Sequence, residues 1–218
     1  MVLIASLFAC SVATASVDPQ TPAPGQGPKI ALPQDNDEYA KLAAQAAAHD
    51  GSVDFHALRF TYLKSAARHR DAGFHEMKEK MLAAAKAGDD AGVRFAAEGL
   101  LSIKYADVAG QAFLSRACEE LRDRACAGQA DFVARGLIKS IMDSGDGKTC
   151  KSGWEVASVD EEYFVLNLLG AMPKKQALAM GSPSCDVLEA SDKDGKVATY
   201  NFRIDAVLAD EADMLKRK

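Results

Sequence analysis

Between residues 38 and 142, apolar side chains recur at three- and four-residue spacing, and short polar breaks interrupt them every ~12 to 17 residues, the signature of successive amphipathic helices. The pattern predicts helices over Glu38–Ala48 (capped by Asn36 or Asp37), Val53–His69, Gly73–Ala87, Ala91–Tyr105, Val108–Leu121 and Arg124–Met142. In the second of these Phe55, Leu58, Tyr62, Leu63 and Ala66 share one side; in the third Phe74, Met77, Met81 and Leu82 do. The breaks at Gly88-Asp89-Asp90 and Arg122-Asp123 stand 34 residues apart, the period of a tetratricopeptide repeat. The small residues Ala96, Ala97 and Gly99 suit close helix packing, although the tryptophan, glycine and proline of that repeat are missing. The pattern points to a tetratricopeptide-like helical array, with an irregular bundle as the alternative.

The periodicity changes after Ser144-Gly145-Asp146-Gly147, and Gly145 reads as the C′ residue that ends the sixth helix. Apolar and β-branched runs at Trp154–Val159 and Tyr163–Leu169 predict strands, the second closed by Gly170 and Pro173. Gln176–Met180 is a short extended or helical piece. Ser184–Glu189 and Lys196–Phe202 form a hairpin about the turn Ser191-Asp192-Lys193-Asp194-Gly195. Ile204–Leu208 extends the last strand, and Ala209–Lys218 frays or forms a short helix. The fold class is therefore α+β: a helical region at 36–144, then a small, mostly antiparallel sheet at 145–218.

The first 35 residues have a different character. Val2–Ala9 is almost wholly apolar and Ala13-Thr14-Ala15 offers a cleavage site, so residues 1–15 read as a signal peptide. The alternative is a lipobox at Leu7-Phe8-Ala9-Cys10, in which Cys10 would be lipidated; contact with a membrane would come only that way. Residues 16–35 carry five of the seven prolines and read as a disordered linker. A periplasmic or secreted protein, or a lipoprotein, is expected.

Cysteine usage agrees with export. Beyond Cys10, four cysteines remain, enough for two disulfides. Cys118 and Cys126 would lie roughly 12 Å apart on one continuous helix, beyond disulfide reach. A turn at Leu121-Arg122-Asp123, with Asp123 capping the next helix, would bring them together and leave Cys150 to pair with Cys185; the alternative is four reduced, independent cysteines. No Cys-x-x-Cys or zinc spacing is present, and no cofactor or metal is expected. His49, His56, His69 and His75 all fall at or near helix ends. The 31 acidic and 26 basic residues leave a net charge of −5, which argues against a nucleic-acid surface.

Candidate chemistry centres on Asp160-Glu161-Glu162-Tyr163, set between two apolar runs. With Gly145-Asp146-Gly147, Val156, Val159, Val165-Leu166, Gly170, Gln176, Asp186-Val187-Leu188 and Tyr200-Asn201-Phe202, this cluster resembles a bacterial exported family known only as domain of unknown function 4919. The order of Asn201 and Phe202 departs from the phenylalanine-then-asparagine order of that family. The resemblance implies export, a helical half and a small sheet, but no chemistry. Asp160, Glu161, Glu162 and Asp186 are the candidate catalytic carboxylates; Asp146, Tyr163, Gln176, Tyr200 and Asn201 are candidate binding residues. On a strand, Glu161 and Glu162 would point to opposite faces. The carboxylates could cap backbone amides, pair with Lys139 or Arg135, or be solvated. They could also bind a divalent cation or serve a hydrolase as general acid and base. The expected function is a non-enzymatic interaction or scaffolding module with a protein or peptide partner; the alternative is a hydrolase or divalent-cation-binding protein built around Glu161 and Glu162.

Overall fold

A computed structural model describes residues 30–216; the expected signal peptide at 1–15 and most of the expected linker at 16–35 lie outside the described residues. The helical region contains α1 (Glu38–Ala47), α2 (Phe55–Tyr62), α3 (Phe74–Ala87), α4 (Asp90–Ile103), α5 (Val108–Glu120) and α6 (Arg124–Met142). Aspartate decides where most of them begin. Asp37, Asp54, Asp89, Asp107 and Asp123 each accept a hydrogen bond from the amide three residues on, satisfying one of the donors a helix start leaves open. The second helix is shorter than its apolar pattern suggests. The Ser65 hydroxyl donates to the Tyr62 carbonyl and Asp37 draws off the Ala66 amide, so the chain leaves α2 at Tyr62 and makes a 3₁₀ turn over Ala67–Arg70.

Helices α3 to α6 each pack against the next in sequence, and α1 and α2 return to pack on α6. Two cores result. One joins Tyr39, Leu42, Leu58, Tyr62, Val133 and Leu137; the other joins Met81, Ala97, Leu100, Leu114, Cys118 and Ala130. Residues 30–35 belong to this assembly. Ile30 and Leu32 pack on the helices, the Ala31 amide donates to Ser102, and Asp35 pairs with Arg70. Between α5 and α6 the chain turns at 121–123, and Cys118 is disulfide-bonded to Cys126 with Cα atoms 5.8 Å apart.

The second half contains β1 (Trp154–Glu155), α7 (Val159–Leu168), β2 (Met172–Ala179), β3 (Cys185–Ser191), β4 (Val197–Arg203) and α8 (Asp205–Lys216). The strands are ordered β1-β4-β3-β2, antiparallel except for the short parallel pairing of β1 with β4. Two expected strands are helices. Tyr163–Leu169 lies within and just beyond α7, whose first turn holds three acids that favour a helix N-terminus. Ile204–Leu208 opens α8, where Asp205 accepts the Ser184 amide and Val207 enters the core. The expected strand Trp154–Val159 stops after two residues.

Period-two alternation puts Asp186, Leu188 and Ala190 of β3 on one face with Tyr200 and Phe202 of β4 and Gln176 of β2. This face packs on Val165 and Leu166 of α7 and Ile141 of α6. The opposite face carries Cys185 and Asn201, both tied to the 145–153 loop: Cys185 through its disulfide to Cys150, Asn201 through its side-chain amide to the Gly147 carbonyl. Gly145 is not the helix-ending residue expected, because α6 stops at Met142 with Asp143 as its cap. A Cβ on Gly145 would collide with the Ser152 and Gly153 carbonyls. One on Gly147, which sits at φ +69°, would collide with the Trp154 ring.

Candidate functional site

Helix α7 begins at Ser158, and Ser158-Val159-Asp160-Glu161 has the spacing of a capping box. The box is not closed. Among the described residues the Ser158 hydroxyl has no hydrogen-bond partner, and the Glu161 carboxylate accepts instead from the Ala157 amide at 2.8 Å. What draws Glu161 away is Arg59 of α2. The guanidinium donates to both carboxylate oxygens, at 2.6 and 3.1 Å, and also to the Glu155 carbonyl at 2.7 Å and the Ser140 hydroxyl at 3.1 Å. Arg59 is 1% exposed and Glu161 2%. A buried pair of this kind holds because every polar atom finds a partner.

Successive residues on a helix are displaced by roughly 100°, so three consecutive acids reach three different neighbours. Asp160 meets Lys78 of α3 at 2.5 Å, near the surface. Glu161 meets Arg59. Glu162 turns toward the sheet, where the Asp186 carboxylate of β3 lies within hydrogen-bonding reach. Lys139 and Arg135, the partners suggested by sequence, pair instead with Asp143 and Asp131, one turn away on or next to their own helix. Lys104 supplies another buried cation near the helix start, 3.5 Å from Asp107. Burial works against its charge, but Asp107, Glu161, Tyr62 and Asp160 together hold its pKa above the ordinary value.

Glu162 is fully buried, and neither of its oxygens nor Asp186 Oδ1 meets a hydrogen-bond donor in the described residues. Two ionised carboxylates in that position would share only the one donor that Gln176 gives Asp186, with none for Glu162. Burial first, then the charges of Asp186 and Glu161, push the Glu162 pKa up to about 8. A proton on Glu162 provides the missing donor, and the pair then shares one hydrogen bond. Asp186 Oδ2 accepts from the Gln176 amide, whose oxygen accepts from the Tyr163 hydroxyl at 3.3 Å. A chain of polar groups thus runs from exposed Tyr163 and Gln176 inward to Asp186 and Glu162.

The candidates therefore divide. Tyr163, Gln176, Asp186 and Glu162 converge beneath the sheet. Asp160 and Glu161 face the helical half. Asn201 and Asp146 belong to the loop side, where Asp146 holds the Lys148 amide and Ser152 hydroxyl. Tyr200, on the α7-facing side of the sheet, stacks on Trp154 with ring centres 6.4 Å apart. Among the described residues no three His, Cys, Asp or Glu side chains are grouped so as to hold a metal ion. Arg59 was missed by sequence reasoning, although a lone arginine within the apolar face formed by Phe55, Leu58 and Tyr62 was the available signal.

An apolar cleft of about 580 Å³ between α3, α5 and α7 adjoins these acids. Leu82, Ala112, Phe113 and Phe164 line it, with Lys78, Arg116 and Asp160 at its rim.

A family model described as a domain of unknown function, DUF4919, matches residues 59–213. The chain belongs to the DUF4919 family. The DUF4919 match opens on Arg59 and spans every residue of the acid cluster and its partners, so the helix-to-sheet connection is part of the family's shared region. No curated protein and no solved structure matches the chain.

Proposed function

We propose that this DUF4919 protein is an exported, non-enzymatic interaction module of the bacterial envelope, whose tetratricopeptide-like helices take an apolar segment of a partner protein into the cleft between α3, α5 and α7. The observation that carries this reading is the division of labour around α7. Its carboxylates are committed to internal partners, while Leu82 and Phe113 face an open cleft that no part of the described chain fills. Asp160 neutralises Lys78, and Arg116 makes no ion pair among the described residues, so the rim favours a segment with an acidic flank. Two disulfides suit an oxidising compartment, and the pattern at 1–15 suits export, with lipidation at Cys10 as a route to the membrane.

A photo-crosslinking residue at Ala112, compared with one at Lys193 on the remote hairpin turn, tests the reading in intact cells. The expected result is a discrete adduct from position 112 that Phe113→Glu abolishes. Equal labelling from both positions, or an adduct indifferent to Phe113→Glu, overturns it.

A further inference from the structure

Strand β2 is the outermost strand of the sheet, eight residues long and exposed at every position. The other edge, β1, is only two residues long, and the Ser144 hydroxyl takes its Glu155 amide. Sheet edges normally carry charges, prolines or bulges that prevent pairing with another chain. On β2 these devices are confined to one end: Pro173, Lys174 and Lys175, with a register shift between Pro173 and Lys175. From Gln176 to Met180 the edge has no guard. Five of the eleven exposed large hydrophobic side chains among the described residues lie within residues 168–180, including Leu178 at 55% and Met180 at 71% exposure. That concentration marks a surface for contact.

We infer that β2 is a docking edge that takes an extended, acidic strand of a partner protein as a fifth strand of the sheet. The free backbone edge would supply the ladder of hydrogen bonds, and alternate side chains of the guest would lie beside Gln176 and Leu178 on the α7 side. Charge selects the guest. Met172–Met180 holds two lysines and no acid on a chain whose net charge is −5. Lys174 makes no ion pair among the described residues, and Lys175 reaches Glu189 only at 3.8 Å. A second copy of this chain is disfavoured, because pairing β2 with β2 would gather four lysines on one short ladder. The surface is separate from the α3–α5–α7 cleft and stands or falls independently of it.

The test uses the purified chain with disulfides intact and two blocked octapeptides, one alternating valine with glutamate, the other valine with lysine. Hydrogen exchange followed by mass spectrometry reads the segment 172–179. The glutamate peptide at about ten times its Kd is expected to slow exchange there roughly tenfold, with the lysine peptide inert. Lys174→Glu/Lys175→Glu, at two exposed positions, is expected to reverse that preference. Protection by both peptides alike, protection by neither, or protection that rises with protein concentration in the absence of peptide each overturns the proposal, the last in favour of a second copy.

Discussion

Replacing Glu162 by glutamine should remove a pH dependence from the folding stability of this protein and make it more stable in mild alkali. Glu162 has a folded pKa of about 8 against an ordinary 4.5, because burial and the facing Asp186 and Glu161 carboxylates disfavour its charge; Arg59 compensates Glu161 but not Glu162. A carboxyl group whose folded pKa is raised binds its proton more tightly when folded than when unfolded. Its contribution is complete below pH 4.5 and declines as pH rises toward 8. At ~1.4 kcal/mol per pH unit, the whole decline amounts to about 5 kcal/mol, of which roughly 2–3 kcal/mol falls between pH 5 and pH 7. That is a large part of the stability of an ordinary domain. Glutamine keeps the shape and supplies a permanent donor toward Asp186. Urea denaturation of both proteins at intervals from pH 5 to pH 8.5, disulfides intact, isolates the effect as the difference between them. The wild-type chain should lose stability relative to Glu162→Gln through that window, and Asp186→Asn should narrow the window by removing the second cause. Parallel pH profiles for wild type and Glu162→Gln would refute the shared proton.

Other variants test the remaining connections. Arg59→Met leaves Glu161 charged and buried without its partner and should cost about 3–5 kcal/mol in urea denaturation, most of it recovered by adding Glu161→Leu. Losing the Cys150–Cys185 disulfide, which closes 35 residues, should cost about 1 kcal/mol more than losing Cys118–Cys126, which closes 8, when paired serine variants are compared by denaturation. Gly147→Ala forces a Cβ onto the Trp154 ring at a positive φ and should destabilise by more than about 1 kcal/mol. Because Trp154 is the sole tryptophan, its fluorescence should report the disturbance directly.

The helical half was legible because aspartates mark its breaks, and those aspartates are the caps that start the helices. The Cys118–Cys126 pairing followed from the same signal, since Asp123 requires a new helix between the two cysteines. Helix α7 was not legible from periodicity. A helix with α2, α3 and the sheet around it has no single apolar stripe, and Tyr163, Phe164 and Val165 carry strand propensity. Ser158 three residues before Glu161 was the local sign of a helix start, although its hydroxyl makes no cap bond among the described residues. The acid pair beneath the sheet could not be anticipated either. Glu162 and Asp186 become neighbours only when α7 is a helix and β3 turns its even-numbered residues toward it.

The bond between Arg59 and Glu161 spans 102 residues of chain, and it has a consequence for how this protein can be divided. Lys78 with Asp160 and Arg68 with Asp210 cross between the same two halves. A cut at residue 144 would give a helical fragment whose Arg59 guanidinium loses the Glu161 carboxylate and the Glu155 carbonyl, and a sheet fragment whose Glu161 loses its arginine. Separating the helices from the sheet would strip each of these charges of its partner, so the two halves are expected to lose stability together when either is perturbed.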